Sequence, residues 1–141
     1  MTDKELVLRK LAILREHASR AARRRPADLE AFKRDDDAQD ALAMSLFVAL
    51  QEAIDVAFHI DADEGWSTPA SNAESFETLA THAVIDRELA DKLVVTVRIR
   101  NRLAHGYATV DVERVWRELP DGLAQLESYA AAVTKWLAAQ P

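Results

Sequence analysis

Apolar residues recur along this chain at helical spacing, and that rhythm alone places nearly every segment. Val7, Leu11, Leu14 and Ala18 step by four, three and four behind a Thr2/Glu5 capping box, which predicts a first helix from about residue 3 to 24. Pro26 ends it. Asp28 is placed to cap a short turn through Leu29 and Phe32, and the run Asp35-Asp36-Asp37 suits the positive end of the next helix. In that helix Leu42, Leu46, Ala49, Ala53, Val56 and Ile60 form one apolar stripe and Phe47, Leu50, Ile54 and Phe58 a second, so it is expected at the centre of the fold. Residues 61–71 (DADEGWSTPAS) read as the one clear loop. Ser71 and Glu74 make a second capping box that opens a short helix to about Thr81, and Asp86 can cap a fourth helix carrying Leu89, Leu93 and Val97 as far as Gly106. A last helical region spans about 110–139, with Val112, Val115, Trp116, Leu119, Leu123, Leu126, Val133 and Leu137 at helical spacing; Pro120 should kink it or start a second segment there. The expected architecture is all-α, an up-and-down bundle of four to five helices in one domain over residues 1–141.

Composition narrows the possibilities further. Half the 141 residues are apolar (49%), with only three glycines and four prolines, which argues against a sandwich or barrel. The absence of cysteine excludes a disulfide scaffold, a thiolate nucleophile and a zinc site built on sulfur. No signal-like segment is evident, and no stretch approaches an apolar membrane span, so a cytoplasmic protein that does not engage membranes is expected. The net charge of −6 disfavours a protein coated with nucleic acid, but the charge is unevenly placed. Residues 1–25 carry eight Lys/Arg against three acids, a local +5, and a second basic knot comprises Arg98, Arg100, Arg102 and His105. An acidic body with local basic spots suits a site that handles one phosphate segment.

Several residue groups carry no chemistry on this reading. His17, His59 and His82 are scattered on separate helices and do not cluster, so neither a metal nor a cofactor is expected. Trp66, Trp116 and Trp136 could stack bases, but the spacing of the last two marks core or interface positions. Ser71 and Ser75 lack a histidine or acid in a sequence context that would suggest a nucleophile, and no glycine-rich loop offers a phosphate cradle.

The candidate chemistry lies in residues 98–107 (RIRNRLAHGY). Arg100 falls on the stripe of Leu89, Leu93, Val97 and Ala104, where an unpaired guanidinium costs several kcal/mol. Either an internal acid meets it, in a purely structural bundle, or the seam opens on a cleft that expects an anion. His105 lies about 140° further round the helix, so the two share a face only where the helix ends, at Gly106, or where two chains meet. Asn101, four residues before His105, is spaced to hydrogen-bond the ring. A proton carrier at neutral pH beside permanent positive charge suffices for metal-free RNA cleavage by the ribose 2′-hydroxyl. One histidine does not easily serve as both base and acid. A symmetric dimer would unite two such clusters in one cleft.

These residues resemble a family. Arg100-Asn101, His105 and Tyr107 match the Arg-polar-x-x-x-His-x-Tyr signature of the HEPN superfamily, and the chain is similar to its HepT-like branch from about residue 5 to 135. Supporting positions include the acidic opening of the second long helix, Phe76-Glu77-Thr78-Leu79, Val84-Ile85-Asp86, Val110-Asp111 and Val115-Trp116. The resemblance implies a helical bundle that dimerises through the motif helix, and a metal-independent endoribonuclease that acts as the toxin of a toxin–antitoxin module. It implies a minimal nucleotidyltransferase antitoxin as partner, which in some members adds AMP to the motif tyrosine. Carried over, Arg100 and His105 would be catalytic, Asn101 supporting and Tyr107 the modified residue; Arg98 and Arg102 join as basic neighbours on the charge argument. The competing implication is a non-catalytic helical partner of a nucleotidyltransferase, AMPylated on Tyr107.

Overall fold

The computed structural model describes residues 1–66, 68–104 and 110–141. Among them the chain forms seven helices and no strand: α1 (Lys4–Arg24), α2 (Leu29–Lys33), α3 (Asp36–Asp63), α4 (Asn72–Thr81), α5 (Arg87–Thr96), α6 (Arg98–Ala104) and α7 (Val112–Ala138). The helical bundle expected from the periodicity is what forms, with α3 at its centre packed on α1, α2, α4, α6 and α7. Leu42, Leu50, Ala53, Val56 and Ile60 of α3 are completely buried against Val7 and Leu14 of α1 and Leu126, Tyr129 and Val133 of α7.

The caps explain most boundaries. Asp28, Asp35, Ser71 and Asp86 each accept from a backbone N–H of the helix that follows, as the sequence indicates. At α1 the expected Thr2 cap is corrected: Asp3 Oδ1 accepts from Leu6 N at 3.0 Å, and the Thr2 hydroxyl is buried with no partner among the described residues. Asp3 wins because its own N–H is tied to Asp63 Oδ2 at 3.0 Å, which fixes the chain's entry into the helix.

Three further expectations are revised. The loop at 61–71 starts later, since α3 runs to Asp63 and closes with Gly65 at φ +67°, where Gly65 N bonds to Ala62 O and Trp66 N to Asp61 O. The same pair of bonds closes α4, but there the left-handed position is Ala83, at φ +60°. α3 is also long and apolar enough to cross a membrane by length and composition, contrary to the expectation that no stretch is; 56% of its apolar stretch is buried inside the bundle, where α3 packs on α1, α2, α4, α6 and α7. Finally, of the two outcomes expected at Pro120, a second segment does not start there, since α7 runs through it as one helix. The carbonyl that a proline at 120 orphans is that of Trp116, and Arg25 Nε supplies the missing donor at 2.8 Å.

Candidate functional site

The predicted fourth helix divides at Val97 into α5 and α6. Val94-Val95-Thr96-Val97 is a run of β-branched residues, which crowd the preceding helical turn, and Arg100 N reaches back only three residues to Val97 O at 3.1 Å. α6 is held on the bundle by Ile99 and Leu103, both packed against the core. That placement carries Arg100 to the flank of α3, where its side chain is half-buried.

Arg100 Nε donates to Gln51 Oε1 at 2.7 Å, and its Nη1 donates to Asn101 Oδ1 at 3.1 Å. The guanidinium carbon lies 5.4 Å from the centroid of the Phe47 ring. Every one of these partners is neutral. Among the described residues no carboxylate comes within 4.0 Å of the guanidinium, so the internal salt bridge of a purely structural bundle is not formed there. A link to negative charge is indirect, through Gln51 Nε2, which donates to Asp55 Oδ1 at 2.9 Å. Asp55 Oδ2 in turn lies 3.7 Å from Lys10 Nζ, which sits 3.5 Å from Glu52.

Arg98 and Arg102 are not brought to Arg100. At 100° per residue they lie about 160° away on α6, exposed, and they line a groove of about 570 Å³ between α5–α6 and α7 whose apolar wall includes Val95, Ile99 and Leu119. Asn101 is exposed beside Arg100. His105, Gly106 and Tyr107 lie outside the described residues, and with them the expected Asn101–His105 contact. Among the described residues no three His, Asp or Glu side chains converge as a metal-binding group.

The tryptophans are committed to packing. Trp66 stacks on His82 with centroids 4.0 Å apart and meets Trp136 edge-on, while Trp116 Nε1 donates to Pro26 O at 2.7 Å and its ring lies under Arg25.

One polar pair was missed by sequence reasoning. Asp61 is fully buried, its Oδ2 accepts from Ser75 Oγ at 2.9 Å, and its Oδ1 has no partner among the described residues. Burial pushes its carboxyl up to about 6, against the opposing pull of the Ser75 hydroxyl. The signal was present: Leu50, Ile54, Ala57 and Asp61 keep the same four-three-four spacing, which puts an acid on a core stripe.

Residues 8–133 match the family model described as Ribonuclease HepT-like. The mRNA nuclease HepT of Shewanella oneidensis is 30% identical over 98 residues, covering 70% of this chain and 74% of that protein. The tRNA nuclease HepT of Aphanizomenon flos-aquae is 29% identical over 87 residues, 62% of this chain and 59% of that relative. Among solved structures, the tri-AMPylated Shewanella oneidensis HEPN toxin in complex with MNT antitoxin superposes with a TM-score of 0.84 at 26% identity, covering 96% of this chain and 99% of that one.

Proposed function

The chain belongs to the HepT-like ribonuclease family, and on that premise we propose that it is the RNA-cleaving toxin of a toxin–antitoxin pair, acting as a cytoplasmic homodimer without a metal ion. Residues 1–141 act as one helical domain, and the motif helix α6 of each subunit lines a common cleft. His105 of one subunit takes the proton from a ribose 2′-hydroxyl. The 2′-oxygen attacks the adjacent phosphorus, the bond from phosphorus to the 5′-oxygen breaks, and the departing oxygen receives a proton from the imidazolium of the second subunit. The products are a 2′,3′-cyclic phosphate and a 5′-hydroxyl. Arg100 holds the charge that gathers on the phosphoryl oxygens, with Asn101 supporting its guanidinium, and Arg98 and Arg102 meet RNA flanking the cleaved bond from the other side of α6.

One observation carries this reading: the half-buried Arg100 is anchored by amides and an aromatic ring, and among the described residues no carboxylate neutralises it. A cation kept uncompensated at a bundle surface is suited to an incoming anion. Dimerisation is supported by the adjoining face of α3, where Met44 stands 63% exposed one turn before Phe47 and Val48. The partner is a nucleotidyltransferase of the MNT class that adds AMP to Tyr107, a reading favoured by the tri-AMPylated state of the Shewanella relative. That same relative favours the competing view of a non-catalytic modification substrate, and expression separates the two. Without the transferase the wild-type chain arrests growth and His105→Ala does not. Co-expression relieves the arrest and adds AMP mass at Tyr107. A harmless wild-type chain that is still AMPylated would favour the non-catalytic reading instead.

A further inference from the structure

We propose that Gln51 is a positioning residue for Arg100, setting the guanidinium from the neighbouring helix without neutralising it. The inference rests on the reading of Arg100 as the group that meets the phosphodiester. Gln51 Oε1 accepts from Arg100 Nε at 2.7 Å, the shortest polar contact the arginine makes among the described residues. Bonding at Nε fixes the neck of the guanidinium, and so the rotation of its plane, while leaving Nη2 free of protein partners among the described residues.

The amide is itself held. Its Nε2 donates to Asp55 Oδ1 at 2.9 Å, one helical turn along α3, and this bond decides which end of the amide faces Arg100. Asp55 is steadied from α1 by Lys10, 3.7 Å from its second oxygen. The link therefore runs Lys10, Asp55, Gln51, Arg100, crossing three helices and ending on a neutral acceptor. An acid at position 51 would reach the same nitrogen and form an ion pair, lowering the positive charge offered to a phosphate. An amide transmits orientation alone. Phe47, one turn before Gln51, faces the same guanidinium, so α3 supplies both the anchor and the platform.

A double-mutant cycle on the whole 141-residue chain tests this. RNA cleavage is followed in single-turnover mode for the wild type, Gln51→Met, Arg100→Ala and the double variant, alongside the thermal midpoint of each. Methionine keeps the length of the side chain and removes both hydrogen bonds. The expected result is a cleavage rate constant reduced about ten- to a hundredfold in Gln51→Met, with little change in KM or thermal midpoint, and no further reduction when Gln51→Met is added to Arg100→Ala. Wild-type cleavage by Gln51→Met overturns the proposal, and so does an equal loss in both backgrounds. Should the methionine variant not fold, Asp55→Ala reads the same link from its outer end: a several-fold slowing confined to the Arg100 background supports the proposal, and its absence overturns it. If Arg100→Ala itself cleaves as the wild type does, the catalytic reading falls and this inference with it, an outcome distinct from Gln51→Met failing alone.

Discussion

Arg25 Nε donates a 2.8 Å hydrogen bond to the carbonyl of Trp116, the backbone acceptor that Pro120 leaves without its helical donor. A proline inside a helix usually breaks it, by removing an N–H and by crowding the carbonyl four residues back. Here a guanidinium from the end of α1 replaces the donor and lies over the Trp116 ring at 4.0 Å. Arg25→Ala should therefore destabilise the fold by about 1–3 kcal/mol, measured by chemical denaturation. Adding Pro120→Ala restores an N–H to the Trp116 carbonyl and should recover much of that loss. If Pro120→Ala recovers nothing in the Arg25→Ala background, the compensation is not what holds α7 together.

The buried Asp61 gives stability a pH dependence of known sign. Its carboxyl titrates near 6 in the folded chain against 3.8 for the ordinary group, so the folded state holds the proton more tightly. Stability from this group is full below about pH 4 and declines as pH rises through 6. Asp61→Asn keeps an acceptor for Ser75 and removes the charge. It should raise stability at pH 7–8 by about 1–3 kcal/mol, a gain that shrinks towards pH 5. Urea midpoints across that range check it, and a gain independent of pH would contradict it.

Ala83 carries backbone strain that a glycine would not. At φ +60° its Cβ meets the local backbone, and the conformation is fixed by the bonds from Ala83 N to Ala80 O and from Val84 N to Leu79 O. Ala83→Gly should stabilise the chain by about 0.5–1 kcal/mol in thermal or urea unfolding, whereas the same change inside a helix would cost as much.

The exposed Met44 tests the dimer apart from the chemistry. Met44→Glu should shift the chain to monomer in light scattering and lower RNA cleavage in parallel, with its helical circular dichroism unchanged. A dimeric Met44→Glu protein would move the interface elsewhere.

What was legible in the sequence was what local physics decides. Asp28, Asp35, Ser71 and Asp86 announce their helices because a cap acts within three residues. Arg100 is marked by an arginine on an apolar stripe. What was not legible depends on distant partners: Pro120 is tolerated because of an arginine from the opposite end of the chain, and the Gln51–Arg100 contact joins two helices with no local trace of each other. The separation of Arg98 and Arg102 from Arg100 is different, since helical angle alone contains it; grouping basic residues by proximity in sequence hid it.

The central claim is that Arg100 keeps its charge for a phosphodiester. Its most direct test is cleavage of RNA by the purified protein, with chelator present, comparing the wild type with Arg100→Ala at matched thermal midpoints. The account predicts cleavage by the wild type and a loss of about a hundredfold or more in the variant, with folding nearly unchanged. An Arg100→Ala protein that cleaves normally, or that loses several kcal/mol of stability through an orphaned internal partner, would contradict it.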